Sequence, residues 1–365
     1  MSLKASIHKR IFQFSFNART SRGTMKDKTS WFVKIWDDNK PEVVGIGECG
    51  PLPGLNPEHN MELETNLEEL IVHFNSTSIT EPQAELNSVG DFINQLYGSE
   101  KIVQYPSFLF ALETALLDWA QGGEKIIFKN QFLEGEPIPI NGLIWMGGLD
   151  FMLQQIEIKI RDGFTCLKLK VGSHDFEKEC DVLQYIRRKY FRDKIIIRLD
   201  ANGAFKADEA LYKLKELARF NIHSIEQPIK PGQEELIELC QQSPIPIALD
   251  EELIGVSTQS AKQQLLESIK PQHIILKPTL HGGLQSCAEW IRISESLGIG
   301  WWITSALESN IGLNAIAQFV AQYQVKTPQG LGTGMIYIDN VYSPLAVRKG
   351  MLQSKKGLEW GTIDI

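Results

Sequence analysis

Apolar and polar side chains alternate through the first part of the chain, in runs over residues 11–16, 30–36 and 43–48 that polar turns separate. A period of two is typical of strands with one buried face, so these runs predict a small antiparallel sheet. Between residues 57 and 98, and again between 106 and 121, apolar residues recur every three or four positions, which predicts helices. The first domain is therefore predicted to be α+β.

After Gly135 the pattern changes to short runs rich in Ile, Val and Leu, and a segment of helical period follows each run. The runs cover residues 138–144, 166–171, 195–199, 222–226, 245–249, 273–276 and 300–304. Strands and helices that alternate at this spacing predict parallel strands with crossover helices. Seven or eight such units favour a closed barrel over an open sheet, so the predicted fold class is α/β with a (β/α)8-type barrel.

Composition and charge exclude several classes of protein. A net charge of -8 and a pI near 5.5 argue against binding nucleic acid through a basic surface. The longest apolar stretches, such as 298–303, are far shorter than the roughly 20 residues of a membrane helix. Five scattered cysteines without a C-x-x-C pair indicate neither a disulfide framework nor a structural zinc site. We predict a cytoplasmic protein without nucleic-acid or membrane partners, for which a homo-oligomer stays open.

Charged residues end the apolar runs, at the place where barrel enzymes carry their catalytic groups. Lys168 and Lys170 lie two apart in the second run, so both side chains should point into the barrel mouth. Two neighbouring ammonium groups are expected to lower the pKa of at least one, as a general base requires. Lys277 ends the sixth run, on the far side of the mouth.

Acidic residues end the three runs between these lysines: Asp200, Glu226 and Asp250. Carboxylates that converge from consecutive strands repel one another unless a cation neutralises them. All-oxygen ligands favour Mg²⁺ or Mn²⁺ over zinc. A single charge at a strand end is more commonly a helix cap or a surface residue, but a surface charge has no reason to recur at successive strand ends. The sequence therefore predicts a divalent metal flanked by lysines.

The ordered motifs resemble the muconate-lactonizing-enzyme subgroup of the enolase superfamily. They are K-x-K at Lys168 and Lys170, D-x-N at Asp200 and Asn202, E-Q-P at Glu226, D-E at Asp250 and Glu251, and K-P followed by Gly-Gly at Lys277, Gly282 and Gly283. GECGPLPG at 47–54 and PSFLFALETALLDWA at 106–120 resemble the first domain of that family. The resemblance implies a capping domain over 1–120, a (β/α)7β barrel over 121–335, and a C-terminal segment, 336–365, that packs back on the capping domain.

The resemblance also implies a role for each motif residue. Lys170 is expected to remove a proton next to a substrate carboxylate, Lys168 to tune it, and Lys277 to face it from the opposite wall. Asp200, Glu226 and Asp250 are expected to hold Mg²⁺, with Mn²⁺ as a substitute, and Asn202 and Glu251 to support them. A metal on the substrate carboxylate would stabilise the charge that develops when the proton leaves.

The segment ITSALESNIG, 303–312, resembles the S-x-L-E-S-x-x-G of the o-succinylbenzoate synthase family within this subgroup. This implies dehydration of a small cyclohexadiene carboxylate in menaquinone synthesis, with substrate contacts from Ser305, Leu307, Glu308 and Ser309. Dipeptide epimerases commonly carry D-x-D here, to bind an ammonium group. Arg22 lies in a loop where the family closes a lid, and it is a further candidate contact, although a solvated turn explains this loop equally well.

Two kinds of alternative remain open from the sequence. An N-acylamino-acid racemase, a dipeptide epimerase or a muconate cycloisomerase would use the same lysines and the same metal ligands, and fold alone does not separate them. A non-catalytic barrel scaffold is the alternative from a different class. The scaffold is disfavoured because every expected ligand and lysine is present.

Overall fold

Three long antiparallel strands begin the fold, as the alternating N-terminal pattern predicted. They are β1, Leu3–Thr20, β2, Gly23–Asp37, and β3, Lys40–Cys49, and they pair in that order. The computed structural model describes residues 3–20, 23–60, 62–77, 81–172, 175–191 and 194–363. At the turn between β2 and β3, the backbone N–H of Asn39 donates to the Asp37 carboxylate over 3.0 Å.

Four helices in the described residues complete the predicted α+β domain. They are α1, Leu63–Ser76, α2, Leu86–Tyr97, α3, Ser99–Ile102, and α4, Pro106–Ala120. The predicted helical stretch from 57 to 98 divides into two helices, and α2 begins only after Pro82, which lacks the backbone N–H that a helix interior needs. Helix α4 lies directly on β3, where Asp118 accepts a hydrogen bond from the Ile46 N–H over 3.0 Å.

Parallel strands alternate with helices after residue 135, which confirms the predicted α/β class. The described residues form a seven-stranded parallel sheet of β5, Gly142–Ile144, β6, Cys166–Lys170, β7, Ile196–Asp200, β8, Ser224–Glu226, β9, Ile247–Leu249, β10, His273–Leu276, and β11, Gly300–Ile303. The crossover helices are α5, Leu149–Arg161, α6, Phe176–Lys189, α7, Ala207–Ala218, α8, Glu235–Gln242, α9, Gln259–Ile269, and α10, Gly283–Ser296; α11, Asn310–Val320, follows β11. The strands pair in sequence order, so the sheet curls into a barrel wall.

The predicted run 138–144 divides into two elements. Its first part, β4, Ile138–Pro139, pairs antiparallel with a C-terminal strand outside the barrel, and only β5 belongs to the wall. Residues 329–330 close the gap between β11 and residues 139–141, which lead directly into β5. The Gln329 N–H donates to Pro139 O and the Gly330 N–H donates to Ile303 O, each over 2.8 Å. This short parallel segment takes the place of an eighth strand, in agreement with a (β/α)7β barrel.

The C-terminal segment contacts both parts of the protein. Ser15 N–H donates to Ile336 O over 2.8 Å and Ile338 N–H to Gln13 O over 3.0 Å, so this stretch lies along β1. Further on, β12, Leu345–Arg348, and β13, Met351–Ser354, form a hairpin that pairs with β4 beside the barrel. Within the ranges given above, no helix is long and apolar enough to cross a membrane. The domain boundaries at 120 and 335 stay predictions.

The barrel is filled below the strand ends, so the site above it has a solid floor. Ala248, Ile275 and Trp302 pack together inside the wall and are almost fully buried. The Arg198 guanidinium lies 3.9 Å from the centre of the Trp302 indole ring and donates to Pro328 O over 2.7 Å. The negative face of the indole ring attracts this buried cation and stabilises it inside the barrel.

We expect Gly47→Ala to destabilise the protein by about 2 kcal/mol or more, because β3 and α4 leave no room for a methyl group. A Cβ at Gly47 would lie 1.9 Å from the carbonyl oxygen of Ala111. Gly148→Ala is the matched control, since Gly148 has φ -61° and no described atom lies within 4 Å of the position that its Cβ would take. Chemical denaturation followed by circular dichroism measures both variants. Equal unfolding free energies for the two would contradict this packing.

Candidate active site

The strand register brings the predicted charges to one level at the barrel mouth. Lys170 on β6 pairs with Asp200 on β7, and Asp200 pairs with Glu226 on β8. Asp250 directly follows β9 and Lys277 directly follows β10, on neighbouring positions of the wall. Since β6 and β10 are four strands apart in a barrel of eight positions, Lys170 and Lys277 stand on opposite walls.

These side chains form one continuous network of ion pairs. Lys168 Nζ lies 2.9 Å from Asp200 Oδ2 and 2.5 Å from Glu226 Oε2, so one ammonium group bridges two carboxylates. Lys277 Nζ pairs with Asp250 Oδ2 and lies 4.0 Å from Glu226 Oε1. All three carboxylates are almost fully buried. The structure therefore brings the predicted acids and lysines together.

Lys170 is held at the edge of this network. Its Nζ donates to Asp200 Oδ2 over 2.9 Å and to Asn202 Oδ1 over 2.5 Å. Asn202 has a positive φ of 43°, which turns its side chain back toward the strand ends, and its Nδ2 donates to Glu251 Oε1 over 2.9 Å. Asn202 thus connects Lys170 with Glu251 through hydrogen bonds, and the supporting role of these two residues stays a prediction.

The carboxylates around Lys168 determine the direction in which its pKa is shifted. Burial by itself lowers the pKa of Lys168, but attraction by Asp200, Glu226 and Asp250 outweighs burial and leaves that pKa above its ordinary value. Lys168 is therefore not a lysine with a lowered pKa, and that at least one pKa of the pair is lowered stays a prediction.

The pKa values of Glu226 and Asp200 are shifted in opposite directions. Burial and repulsion by Asp200 raise the pKa of Glu226 well above its usual range. Burial also opposes ionisation of Asp200, but Lys168 and Lys170 outweigh it and hold the pKa of Asp200 below its ordinary value. Burial therefore opposes ionisation of Glu226 more than that of Asp200, and a further cation in the network would favour the ionised form of Glu226.

The donor set fits a hard divalent cation, although the lysines occupy the space between the acids. No three His, Cys, Asp or Glu side chains in the described ranges lie close enough together to hold a metal as they stand. Glu226 Oε1 and Asp250 Oδ1 are nevertheless buried and receive no hydrogen bond from the residues that the structure describes. Buried carboxylate oxygens without a donor are costly, and a cation such as Mg²⁺ satisfies them.

A cavity of about 530 Å³ opens above the network. Lys168, Lys170, Asp200 and Lys277 line its floor. Its walls are mainly apolar and include Phe16, Met25, Leu52, Leu55, Trp145, Phe151, Leu307, Met335 and Ile336. A charged floor beneath apolar walls suits a small carboxylate with a hydrocarbon body.

The predicted substrate residues after β11 divide into two groups. Ser305 and Leu307 line the cavity, whereas Glu308 and Ser309 do not. Glu308 is fully buried and accepts hydrogen bonds from Thr279 Oγ1 over 2.5 Å, from Ala306 N over 2.8 Å, and from the Ser305 hydroxyl. Glu308 does not line the cavity because its carboxylate is turned into the loop, and its contact with substrate stays a prediction.

Ser309 is also turned away from the cavity. Its hydroxyl and its backbone N–H both donate to the Glu48 carboxylate, over 2.5 Å and 3.0 Å, at the beginning of α11. Ser309 is fully buried and caps α11, because its side chain accepts a hydrogen bond from the Ile311 N–H; its contact with substrate stays a prediction. Glu48 belongs to the GECGPLPG motif, whose role in holding this loop was not predicted.

Tyr337 and Lys28 hold Leu307 in the cavity wall, and neither was predicted from the sequence. Leu307 has a positive φ of 65°, which is rare for a residue with a branched side chain. Its carbonyl oxygen accepts hydrogen bonds from Tyr337 Oη over 2.6 Å and from Lys28 Nζ over 3.1 Å. These contacts hold the strained residue so that its side chain faces the cavity.

The predicted lid contact Arg22 lies outside the described residues. The adjacent residues Gly23, Thr24 and Met25 at the start of β2 line the cavity on the side of the capping domain. The capping domain therefore contributes to the mouth.

Comparison with known proteins finds relatives over almost the whole chain. Residues 152–358 match the family described as Enolase C-terminal domain-like. The chain is 43% identical over 356 residues to the o-succinylbenzoate synthase of Desulfotalea psychrophila, an alignment that covers 93% of this chain and 95% of that protein. The fold matches the crystal structure of MenC from Desulfotalea psychrophila LSv54 with a TM-score of 0.86 and 39% identity, over 97% of this chain and 100% of that one.

A more distant structure shares the fold. The dipeptide epimerase from Enterococcus faecalis V583, crystallised with Mg and the dipeptide L-Leu-L-Tyr, matches with a TM-score of 0.82 over 99% of this chain and 100% of that one. Its sequence identity is 22%, so this likeness concerns the fold alone.

Lys168→Ala should destabilise the metal-free protein by about 3–5 kcal/mol, because Asp200 and Glu226 would lose the cation between them. Lys189→Ala is the matched control, since Lys189 forms an ion pair with Glu157 at the surface and should leave the unfolding midpoint unchanged. Urea unfolding in the presence of a chelator measures both. If Lys168→Ala unfolds at the wild-type urea concentration, the buried bridge contributes nothing and this description of the network fails.

Proposed function

Since the chain belongs to the o-succinylbenzoate synthase family of the enolase superfamily, we propose that it removes water from 2-succinyl-6-hydroxy-2,4-cyclohexadiene-1-carboxylate to form o-succinylbenzoate, a step of menaquinone synthesis. The observation that carries the proposal is the opposition of Lys170 and Lys277 across one cavity, above three buried carboxylates. The apolar walls suit the ring of this substrate, and its ring carboxylate suits the lysines that line the floor.

Lys170 is the proposed base. In its neutral form, Nζ can accept the proton from the ring carbon next to the carboxylate. Asp200 and Asn202 lie 2.9 Å and 2.5 Å from Nζ and fix its position. A positioned general base contributes a factor of about 10² to 10⁴ to the rate of proton transfer.

Lys277 is proposed to act through its charge and not as a second base. It stands on the wall opposite Lys170, where its ammonium group can face the ring from the other side. Loss of hydroxide from the neighbouring carbon then completes an aromatic ring, which makes this step favourable. Lys168, which bridges Asp200 and Glu226, is proposed to balance their charge and to tune Lys170, which shares Asp200 with it.

Enzymes of the enolase superfamily generally use Mg²⁺. We propose that Asp200, Glu226 and Asp250 hold it in this chain, with Mn²⁺ as a substitute. Glu226 Oε1 and Asp250 Oδ1, which lack a hydrogen-bond donor among the described residues, support this assignment. When bound, the ion supplies positive charge for the substrate carboxylate as negative charge develops there. Lys168 and Lys277 would then release part of their contact with the acids.

The cavity wall favours dehydration over dipeptide epimerisation. An epimerase needs an anion in the wall to bind the ammonium group of its substrate, and Glu308 is the acidic residue of the 303–312 loop. The Glu308 carboxylate accepts hydrogen bonds from Thr279, Ser305 and Ala306 and does not line the cavity. An N-acylated amino acid lacks this ammonium group, so a racemase of such compounds is the second candidate.

Purified protein with Mg²⁺ should convert the cyclohexadiene carboxylate to o-succinylbenzoate, measured by ultraviolet absorbance. A parallel incubation with an N-succinyl amino acid in D₂O, followed by NMR, measures exchange of the α-proton. Exchange without any o-succinylbenzoate would replace the proposed function with the racemase.

Lys170→Ala should lower kcat at least about 100-fold while Mg²⁺ still binds, because the base is lost but no metal ligand is. Absorbance measures the rate and isothermal titration calorimetry measures the metal. Lys189→Ala, on the surface of α6, is the control and should keep the wild-type rate. Substantial turnover by Lys170→Ala would remove Lys170 from the role of base.

Asp200→Asn should weaken Mg²⁺ binding at least about tenfold, because a neutral amide oxygen is a poorer ligand for a hard cation. Calorimetry in the absence of substrate measures this effect independently of catalysis. Asp208→Asn, in the first turn of α7, is the matched control and should bind Mg²⁺ as the wild type does. Unchanged affinity in Asp200→Asn would mean that the ion binds elsewhere.

A further inference from the structure

One imidazole ring holds the backbone of Lys277 where β10 ends. The backbone N–H of Lys277 donates to His281 Nδ1 over 3.0 Å. In return, the backbone N–H groups of Leu280 and His281 donate to the Lys277 carbonyl oxygen over 2.8 Å each. Both polar backbone groups of Lys277 therefore form hydrogen bonds within a turn of five residues. The side chain of His281 supplies the acceptor for the Lys277 N–H.

The hydrogen bond itself defines the state of the ring. His281 is buried, and because the backbone N–H of Lys277 is a donor, Nδ1 must be the acceptor. A neutral imidazole whose Nδ1 accepts a hydrogen bond carries its proton on Nε2.

A simple packing role does not explain a histidine here. Its Nε2 is buried, and the ring also has a polar interaction with the backbone of Asp250, the residue whose carboxylate pairs with Lys277. An apolar side chain of similar size would leave the Lys277 N–H without its acceptor, and a buried donor without an acceptor costs about 1–3 kcal/mol.

The position of this backbone determines where the Lys277 ammonium group stands. Lys277 Nζ reaches both Asp250 and Glu226, and its side chain is almost fully buried. A displacement of about 1 Å at a catalytic group can cost a factor of 10² in rate. We propose that His281 is a positioning residue that fixes Lys277 for the reaction, a role that rests on the proposed function of Lys277.

Two amide variants separate this role from packing. In His281→Asn, the side-chain oxygen can occupy the position of Nδ1 and accept the hydrogen bond, whereas His281→Gln carries its amide at the position of Nε2 and removes that acceptor. Both replacements are neutral and polar, and both lack the imidazole ring, so they differ mainly in where the amide lies. We expect His281→Gln to lower kcat at least about tenfold with KM within about threefold, and His281→Asn to keep at least about a third of wild-type kcat.

A second measurement does not depend on the reaction. Labelling of lysines with an amine-directed reagent, followed by peptide mass spectrometry, reports how firmly Lys277 is held. We expect the labelling rate of Lys277 to rise several-fold in His281→Gln and to stay near the wild-type rate in His281→Asn. His281→Leu, which also lacks the acceptor, should label like His281→Gln and replaces it if that variant does not fold.

Equal kinetic losses in the Asn and Gln variants, with unchanged labelling of Lys277 in both, would overturn the proposal and leave His281 a packing residue. Wild-type protein that forms no o-succinylbenzoate would refute the proposed function instead. In that event the labelling rates alone still decide whether His281 positions Lys277.

Discussion

Three carboxylates buried at one end of a barrel set the constraint that the rest of the structure meets. Asp200, Glu226 and Asp250 are nearly inaccessible to water, so each negative charge must be balanced by a nearby cation or a proton. In the structure, Lys168 bridges the first two and Lys277 pairs with the third. The same lysines that neutralise the floor are thus the cations that a carboxylate substrate would meet.

The capping domain stabilises the loops that complete this site. Glu48 on β3 accepts hydrogen bonds at the start of α11, and Glu113 on α4 accepts them from Leu284 and Gln285 at the start of α10. Helix N-termini attract buried carboxylates, so each contact fixes a loop that follows a catalytic strand. Cap and barrel therefore act as one unit at the mouth, and the loop after β10 is also held from within by His281.

Much of this arrangement could be predicted because strand periodicity places charged residues at known ends and faces. The strand ends carrying Lys170, Asp200 and Lys277 follow from that periodicity. The inward turn of Glu308 could not be predicted, since a loop has no period that specifies where a side chain points. The contact between Lys28 and Leu307 joins residues 279 positions apart, and the two-residue strand 329–330 is too short to have a pattern. The raised pKa of Lys168 depends on distances that only the folded protein defines.

The central claim is that the lysine–carboxylate network is a site where a divalent cation replaces part of the contact between lysines and acids. A crystal structure with Mn²⁺ and o-succinylbenzoate, with anomalous diffraction data, tests it most directly. The account predicts one manganese peak bound by oxygens of Asp200, Glu226 and Asp250, with the ligand between Lys170 and Lys277. A cavity with intact lysine–carboxylate pairs and manganese absent from those three acids would contradict it.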